Sequence, residues 1–429
     1  MLDEILPRLF GFRRPRYPLN LEPLPISEPP LLALLSFALS GPDGIPLQPA
    51  VKEGDQVKAG QTLADDGVRP VIVSPVSGRV SAIAAAPDLR GAASGLAILI
   101  APAPDSSPRV FPPLVPEKAS PEELRLRIEA AGILTDSLSP RPVGDALWPT
   151  GGGAVETLIV LAADREPEVA SALQSFRERS EDTMAAARML GRAAGARRVA
   201  VAAPAPLERE AKKIAERRQV EIMAVPASYP WTLEPLVALR CGGGVKLVAV
   251  ETALACLDAV AAGKVQDKKT VTVVGPDGRA RANPRVSLGT RLGEVLAAAG
   301  LTPAEGDKVV AGGWPRGHAQ DSLESAVDPG VDALLLIAAA EIVAWSDEPC
   351  INCGACTAVC PVRLQPQLLG RCAESGRFDR AEKFSAMNCI ECGLCASVCT
   401  GRRPLLQLLR MARSEIQKKR AAGVAETRG

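Results

Sequence analysis

The chain is poor in histidine: His318 is the only one in 429 residues. That scarcity removes metal sites built on imidazole, the usual companion of cysteine at zinc. Neither sign of charge is in excess, with 50 Lys and Arg against 49 Asp and Glu and a net charge of +1, so neither a nucleic-acid partner nor bulk attraction to an anionic membrane is expected. No apolar run reaches the ~18 residues that a spanning helix needs. Leu31 to Leu39 is too short, and residues 332–345 carry Asp332 and Glu341. The first 18 residues place acids before bases and lack a small-residue cleavage site, so they do not read as a signal peptide. Without export a disulfide framework is not expected, and reduced thiols fit a cytoplasmic location. Membrane contact is then expected only peripherally or through partner subunits. The Leu, Phe and Arg of residues 1–18 suit contact with a membrane surface or a partner, or a loose arm, and residues 1–41 are expected to form an N-terminal arm. Aromatics are 3 %, while Ala, Arg, Pro and Gly are abundant, a bias that reflects genome composition rather than function.

What the chain does have is cysteine in a pattern. Cys350, Cys353, Cys356 and Cys360 are followed by Pro361, and Cys389, Cys392, Cys395 and Cys399 repeat the same spacing. This is the bacterial ferredoxin run written twice, in which three thiolates come from one tight loop and the fourth from the other motif. The expected sets are Cys350, Cys353, Cys356 and Cys399 on one [4Fe–4S] cluster, and Cys389, Cys392, Cys395 and Cys360 on a second. Gly354 and Gly393 sit where a missing Cβ lets the backbone approach sulfur. Cys399 is followed by Thr400 rather than proline, a change expected to expose that cluster and move its potential. Cys241, Cys256 and Cys372 read as small buried hydrophobes.

The length suggests roughly three domains. Residues 42–102 alternate apolar residues with glycines at Gly54, Gly60, Gly67 and Gly78, the mark of tight β-turns in an all-β unit. It is similar to the barrel-sandwich hybrid of biotinyl and lipoyl carriers. Their modifiable lysine is missing from the stretch Ala64 to Pro70, so a structural role is expected. Residues 103–120 are a linker. Residues 121–267 alternate helix and apolar strand: helix 121–131 with Ser120 as N-cap, strand 155–163, helix 167–195, strand 196–203, helix 205–218, strands 220–225 and 246–250, and helix 251–262. That order predicts a mostly parallel, Rossmann-like sheet with helices on its faces. Residues 268–344 read as a small β-grasp, residues 345–412 as the cluster domain, and residues 413–429 as a charged tail, helical and then frayed. The fold class is therefore α/β and multidomain.

The order barrel-sandwich, α/β domain, β-grasp and dicluster ferredoxin resembles the C subunit of the Rnf ion-translocating ferredoxin:NAD oxidoreductase, over roughly residues 45–415. That subunit is similar in turn to the flavin subunit of respiratory complex I and to cobalamin-reductase subunits. The resemblance is firmest at Val271 to Gly275, Leu288 to Leu296, Gly312-Gly313-Trp314-Pro315-Arg316-Gly317, Cys389 to Gly393 and Pro404 to Arg410. It implies NADH and FMN on the α/β domain, two cubanes that pass single electrons to other redox subunits, and a β-grasp of the SLBB type.

The chain departs from that family where the flavin chemistry should be. The family's Gly-Gly-Ala-Gly-Phe-Pro-Thr loop is replaced by residues 131–142, where only Gly132 remains. Its Asn-Gly-Ala-Glu-Cys-Glu-Pro-Tyr stretch becomes Leu161 to Glu168, keeping Glu166-Pro167, with Asp164 and Arg165 before them. Its Tyr-Pro-Gln-Gly-Gly-Glu-Lys becomes Tyr229-Pro230-Trp231-Thr232-Leu233-Glu234-Pro235. The expectation is an electron-wiring subunit that no longer binds FMN or NAD(H), with any remnant of the site near Gly132, Asp164 and Glu166. The alternative is an active FMN-containing NADH:acceptor oxidoreductase that uses Gly151 to Gly153 or Gly242 to Gly244. A third reading, a soluble adaptor for a corrinoid-activating reductase, differs only in partner. His318 reads as a surface or loop histidine, and Arg371, Arg377 and Arg380 as a solvated helix face.

Overall fold

The computed structural model describes residues 17–30, 32–40, 46–65, 67, 70–87, 89–90, 95–104, 106–148, 154–215 and 220–426. The arm before Tyr17, parts of the Ala64 to Pro70 stretch, the glycines 151–153 and the last three residues lie outside them. The chain divides into two units, Pro18–Ala340 and a unit that holds Glu341–Gly429.

In the first unit the glycine-punctuated region folds as two facing sheets. One runs Leu35–Ala38, Gly95–Pro102, Gly78–Ala86, Gln56–Val57, and the other Gln48–Pro49, Thr62–Asp65, Pro70–Val73. Leu35, Leu63, Val80, Ile98 and Ile100 are fully buried between them. The glycine pattern sets this domain's start at residue 42, but the fold begins earlier. The strand Leu35–Ala38, from the stretch expected to be an arm, pairs antiparallel with Leu99 and its neighbours some sixty residues away, a partner that local pattern does not reveal.

The next region is a four-stranded parallel sheet in the order Glu221–Val225, Arg198–Pro204, Thr157–Leu161, Val245–Ala249. All five residues of Thr157–Leu161 are buried, as a central strand covered on both faces requires. Helices Pro121–Ala130, Ser180–Ala194 and Val250–Ala261 pack on one face, and Val237 of helix Glu234–Cys241 on the other. Helix Pro121–Ala130 starts on a capping box, with Ser120 and Glu123 each accepting the other's backbone N–H. The single helix expected over 167–195 is two, Ser171–Glu178 and Ser180–Ala194. The break falls at Arg179, whose guanidinium spans Asp182 and Asp258 at 2.9 and 2.7 Å.

A mixed sheet follows, in the order Lys268–Thr270, Ala280–Ser287, Thr272–Val274, Ala333–Ile337, Lys308–Ala311, His318–Gln320, with helix Leu292–Ala298 packed against it through Leu292, Val295 and Leu296. The strand Ile26–Ser27 adds to it by pairing with Ala280–Ser287.

The second unit is helical. Short helices Ala355–Val359 and Leu394–Ser397 each follow a cysteine loop, and helices Pro366–Glu374 and Phe378–Lys383 lie along the last helix, Leu405–Glu426. That last helix runs on through residue 413 into the stretch expected as a charged tail, helical at first, and ends at Glu426. Its apolar residues Leu409, Ala412 and Ile416 pack on Leu369, Cys372 and Ala381.

The central parallel strand sets the carboxyl edge on which the α/β site lies. Ile159→Ala, at a fully buried position of that strand, is expected to cost about 2–5 kcal/mol of stability, seen as a lowered midpoint in circular-dichroism melting.

Candidate functional site

Two places carry concentrated chemistry, one in each unit. In the cysteine unit, Cys350, Cys353, Cys356 and Cys399 line a single cavity, together with Gln367, Arg371 and Thr400. Cys360 and Cys389 share the neighbouring core, and Cys356 and Cys395 pack together against Leu405. The backbone is shaped for sulfur in both motifs alike. Asn352 and Glu391, each two residues after the first cysteine, have φ of 55° and 54°; Gly354 and Gly393 have 77° and 71°; Arg363 and Arg402, each three after the last cysteine, have 57° and 47°. Non-glycine residues in the left-handed region are costly and persist where the surroundings require them. Here the turns aim amides at thiols: Leu364 N–H donates to Cys360 Sγ at 3.3 Å, Arg403 N–H to Cys399 Sγ at 3.4 Å and Glu391 N–H to Cys389 Sγ at 3.4 Å.

Such donors favour thiolate over thiol, while burial pushes the Cys389 thiol up to about 11 and that of Cys395 well above its usual value. A positively charged iron core would supply the missing compensation. Among the described residues no three His, Cys, Asp or Glu side chains are grouped so as to hold a single metal ion. Cys350, Cys353, Cys356 and Cys399 line a cavity instead, and the residues present fit a multi-iron cluster. Of the other cysteines, Cys256 is buried in an apolar core of the first unit, Cys372 in the core that also holds Cys360 and Cys389, and half-buried Cys241 lies 3.4 Å from the sulfur of Met223.

The second place is the carboxyl edge of the parallel sheet, between strands Thr157–Leu161 and Val245–Ala249. Strand order reverses there, and open α/β sheets place their ligand crevice at such a point. A buried ion cluster fills it. Arg165 and Lys269 each bridge the same two carboxylates. Arg165 reaches Asp136 at 3.1 Å and Asp332 at 2.7 Å, and Lys269 reaches both at 2.8 Å. Arg165 also holds Glu234 at 2.6 Å and donates to the backbone carbonyl of Asp136, while Lys269 holds Glu251 at 2.6 Å. The three ammonium donors of Lys269 are thereby all used. Burial opposes both positive charges, but the surrounding acids hold Arg165 and Lys269 well above their ordinary values.

Three members of this cluster lie in the stretches that depart from the family pattern, while Lys269, Glu251 and Asp332 come from elsewhere. Asp136 lies in residues 131–142, Arg165 in residues 161–168, and Glu234 opens helix Glu234–Cys241 after residues 229–233. The sequence-nominated residues around them hold structural posts. Gly132 ends a helix at φ 63°, and a Cβ there would stand 2.4 Å from a methyl of Val73. Asp164 accepts the N–H groups of Ala172 and Leu173 at 2.8 and 3.2 Å and so caps helix Ser171–Glu178. Glu166 meets Arg316 at 3.3 Å and lies so close to Gly313 that a Cβ there would be 2.4 Å from it. Gly242 and Gly244, at φ 88° and 72°, form the turn into strand Val245–Ala249.

On the other side of the 131–142 loop, an apolar cavity is lined by Phe37, Ile72, Val73, Leu89, Leu134 and Leu288, with the Arg90–Asp328 pair at its rim. His318 is in a strand opposite Ala311 and takes no part in the cluster. Arg371, Arg377 and Arg380 are exposed, and Arg371 borders the cysteine cavity, which a purely solvated face would not do.

Residues 20–104 match the family model of the RnfC barrel sandwich hybrid domain, and residues 343–400 that of the 4Fe-4S dicluster domain. The chain is 32 % identical over 421 residues to the C subunit of the ion-translocating oxidoreductase complex of Rhodobacter capsulatus, covering 92 % of this chain and 80 % of that one. It is 28 % identical over 406 residues to the C subunit of the proton-translocating ferredoxin:NAD(+) oxidoreductase complex of Clostridium ljungdahlii, covering 89 % and 87 %. It is 25 % identical over 422 residues to the C subunit of the Na(+)-translocating ferredoxin:NAD(+) oxidoreductase complex of Acetobacterium woodii, covering 94 % of both chains. Among solved structures, an NAD+-reducing [NiFe]-hydrogenase in the H2-reduced state aligns with a TM-score of 0.48 at 14 % identity, over 69 % of this chain and 62 % of that one.

Replacing Arg165 by Leu takes the guanidinium from Glu234 and leaves Asp136 and Asp332 on Lys269 alone. The expected loss is about 3–5 kcal/mol, measured by chemical unfolding, with Arg165→Lys recovering only part because it lacks the guanidinium fork.

The pH dependence has a definite sign. Burial, then Asp332, pushes Asp136 up to about 8, and burial pushes Glu166 and Glu168 up to about 7. Groups raised on folding contribute stability that is present below their unfolded values, about 4, and lost as pH rises through the folded ones. Asp332, although buried, is held below the usual range by Lys269 and Arg165, so its contribution is lost as pH falls below about 4. The melting temperature is expected to be higher at pH 5.5 than at pH 8.5; the opposite order would contradict the ion-cluster analysis.

Proposed function

We propose a function from a plain premise: this chain belongs to the family of C subunits of Rnf-type ion-translocating oxidoreductase complexes. Its part in such a complex is electron transfer by a 4Fe-4S dicluster domain. We read two cubane sites, one held by Cys350, Cys353, Cys356 and Cys399 and the other by Cys389, Cys392, Cys395 and Cys360. Each cluster, when bound, takes up and releases one electron at a time. The protein's own contribution is to present four thiolates per site, aim backbone amides at their sulfurs and bury Cys360, Cys392 and Cys395 of the second site.

The chain relays electrons without an NADH or FMN site of its own. The observation that carries this is the Arg165 and Lys269 ion cluster. It occupies the carboxyl edge of the parallel sheet where a nucleotide would lie, with Asp136, Arg165 and Glu234 from the three stretches that depart from the family pattern and Lys269 from the mixed sheet. A phosphate or flavin could enter only by displacing Arg165 from three acids, taking the guanidinium from Glu234 and leaving Asp136 and Asp332 on Lys269 alone. We take the parallel sheet as a Rossmann-like domain turned to structural use, and the mixed sheet as a β-grasp of the SLBB type. Its Gly312 to Gly317 turn receives Glu166, the family residue that survives. Partners are the other redox subunits of the complex, with membrane contact peripheral and on the cytoplasmic side. No described helix is long and apolar enough to cross a membrane.

Anaerobic reconstitution tests this directly. About eight irons and eight sulfides per chain are expected, with no flavin retained and no bleaching by NADH. FMN bound at one per chain together with NADH-driven reduction would overturn the proposal that the dehydrogenase site is lost.

A further inference from the structure

We infer that the site lined by Cys350, Cys353, Cys356 and Cys399 is the outward and more positive of the two, and that the Thr400 hydroxyl and the Gln367 amide raise its potential. The inference rests on the two-cluster reading above and goes beyond it by ranking the sites.

The two sets differ in solvent access. Cys353 is exposed and Cys350 and Cys399 are half-buried, whereas Cys360, Cys392 and Cys395 are all buried and Cys389 is half-buried. Ile351, between the first two ligands, is 68 % exposed. Reduction adds negative charge to a cluster, so water and N–H or O–H donors at the sulfurs favour the reduced form and raise the potential.

The outer set also carries side-chain donors. Thr400 Oγ1 lies 3.9 Å from Cys353 Sγ, at the position where the companion motif has Pro361, which has no hydroxyl. The Gln367 amide lies 3.4 Å from Cys356 Sγ and accepts from the Thr357 hydroxyl at 2.9 Å. A thiolate only accepts. A half-turn of the amide then presents Nε2–H to the sulfur, while Thr357 Oγ1 serves as the acceptor for its second proton.

Backbone donors run the other way: Arg403 N–H donates to Cys399 in the outer set, while Leu364 and Glu391 N–H donate to Cys360 and Cys389 in the inner. Nearby charge is matched, with Arg371 and Arg403 against Glu374 beside the outer set, and Arg410 and Arg413 against Glu391 beside the inner. Solvent access and the two side-chain donors of the outer set, against one extra backbone donor on the inner, set the order.

The experiment is an EPR-monitored redox titration of the anaerobic, cluster-loaded full chain, as wild type, T400V, T400S and Q367M, repeated with a soluble gadolinium chelate. In T400V and Q367M the more positive wave is expected to shift downward while the other stays; T400S, which keeps the hydroxyl, should titrate like wild type. The gadolinium chelate should enhance relaxation of the signal that belongs to that same wave. A shift of the more negative wave, equal shifts of both, no shift in either variant, or relaxation confined to the other signal would overturn the assignment. Clearly fewer than eight irons in the wild type would overturn both this inference and the two-cluster reading. Bound flavin would bear only on the earlier proposal.

Discussion

Two cations bridging two carboxylates at the carboxyl edge of the parallel sheet constrain everything that meets there. A charge taken out of water costs several kcal/mol, and a partner recovers that only when the geometry leaves few donors or acceptors unused. Arg165 and Lys269 meet this condition as a closed set with Asp136 and Asp332. Because the members come from two loops of the parallel sheet, the first strand of the mixed sheet and the residue before Ala333–Ile337, all four must be in place at once. A partly satisfied buried network is worse than none, so its presence favours one relative placement of these elements over looser ones.

The cysteine unit is built by the opposite logic. Its specificity is local: a few left-handed residues at matching places in two short motifs turn amides inward, and short helices carry the chain away. The strain is stored in the backbone around the sulfurs, the usual mark of a site under functional constraint. The first unit uses side chains drawn from far apart; the second uses main chain drawn from within a dozen residues.

That contrast explains what could be read in advance. The cysteine repeat was legible because its spacing is itself the ligand geometry, and the parallel sheet was legible because Thr157–Leu161 is an unbroken apolar run. The ion cluster was not. Arg165 stood out only as a residue out of place in a family motif, and its partners lie 29, 69 and 167 positions away along the chain. Lys269 gave no signal at all at the start of a strand otherwise marked by Thr and Val. The strand Leu35–Ala38 was hidden for the same reason, since its apolar residues acquire meaning only beside Gly95–Pro102. Asp164 and Glu166 were singled out as remnants of a flavin loop, and in the fold Asp164 meets a helix end and Glu166 meets Arg316 beside a β-turn.

Arg165 also bears on which changes this chain tolerates. Replacing it by a small residue would take the guanidinium from Glu234 and leave Asp136 and Asp332 on Lys269 alone, and losing Asp136 or Asp332 would leave two cations on too few acids. No single substitution at these positions is free, whereas a residue of the same loops that touches none of them varies independently of the cluster. The guanidinium thus divides its neighbourhood into positions that must change together and positions that change alone.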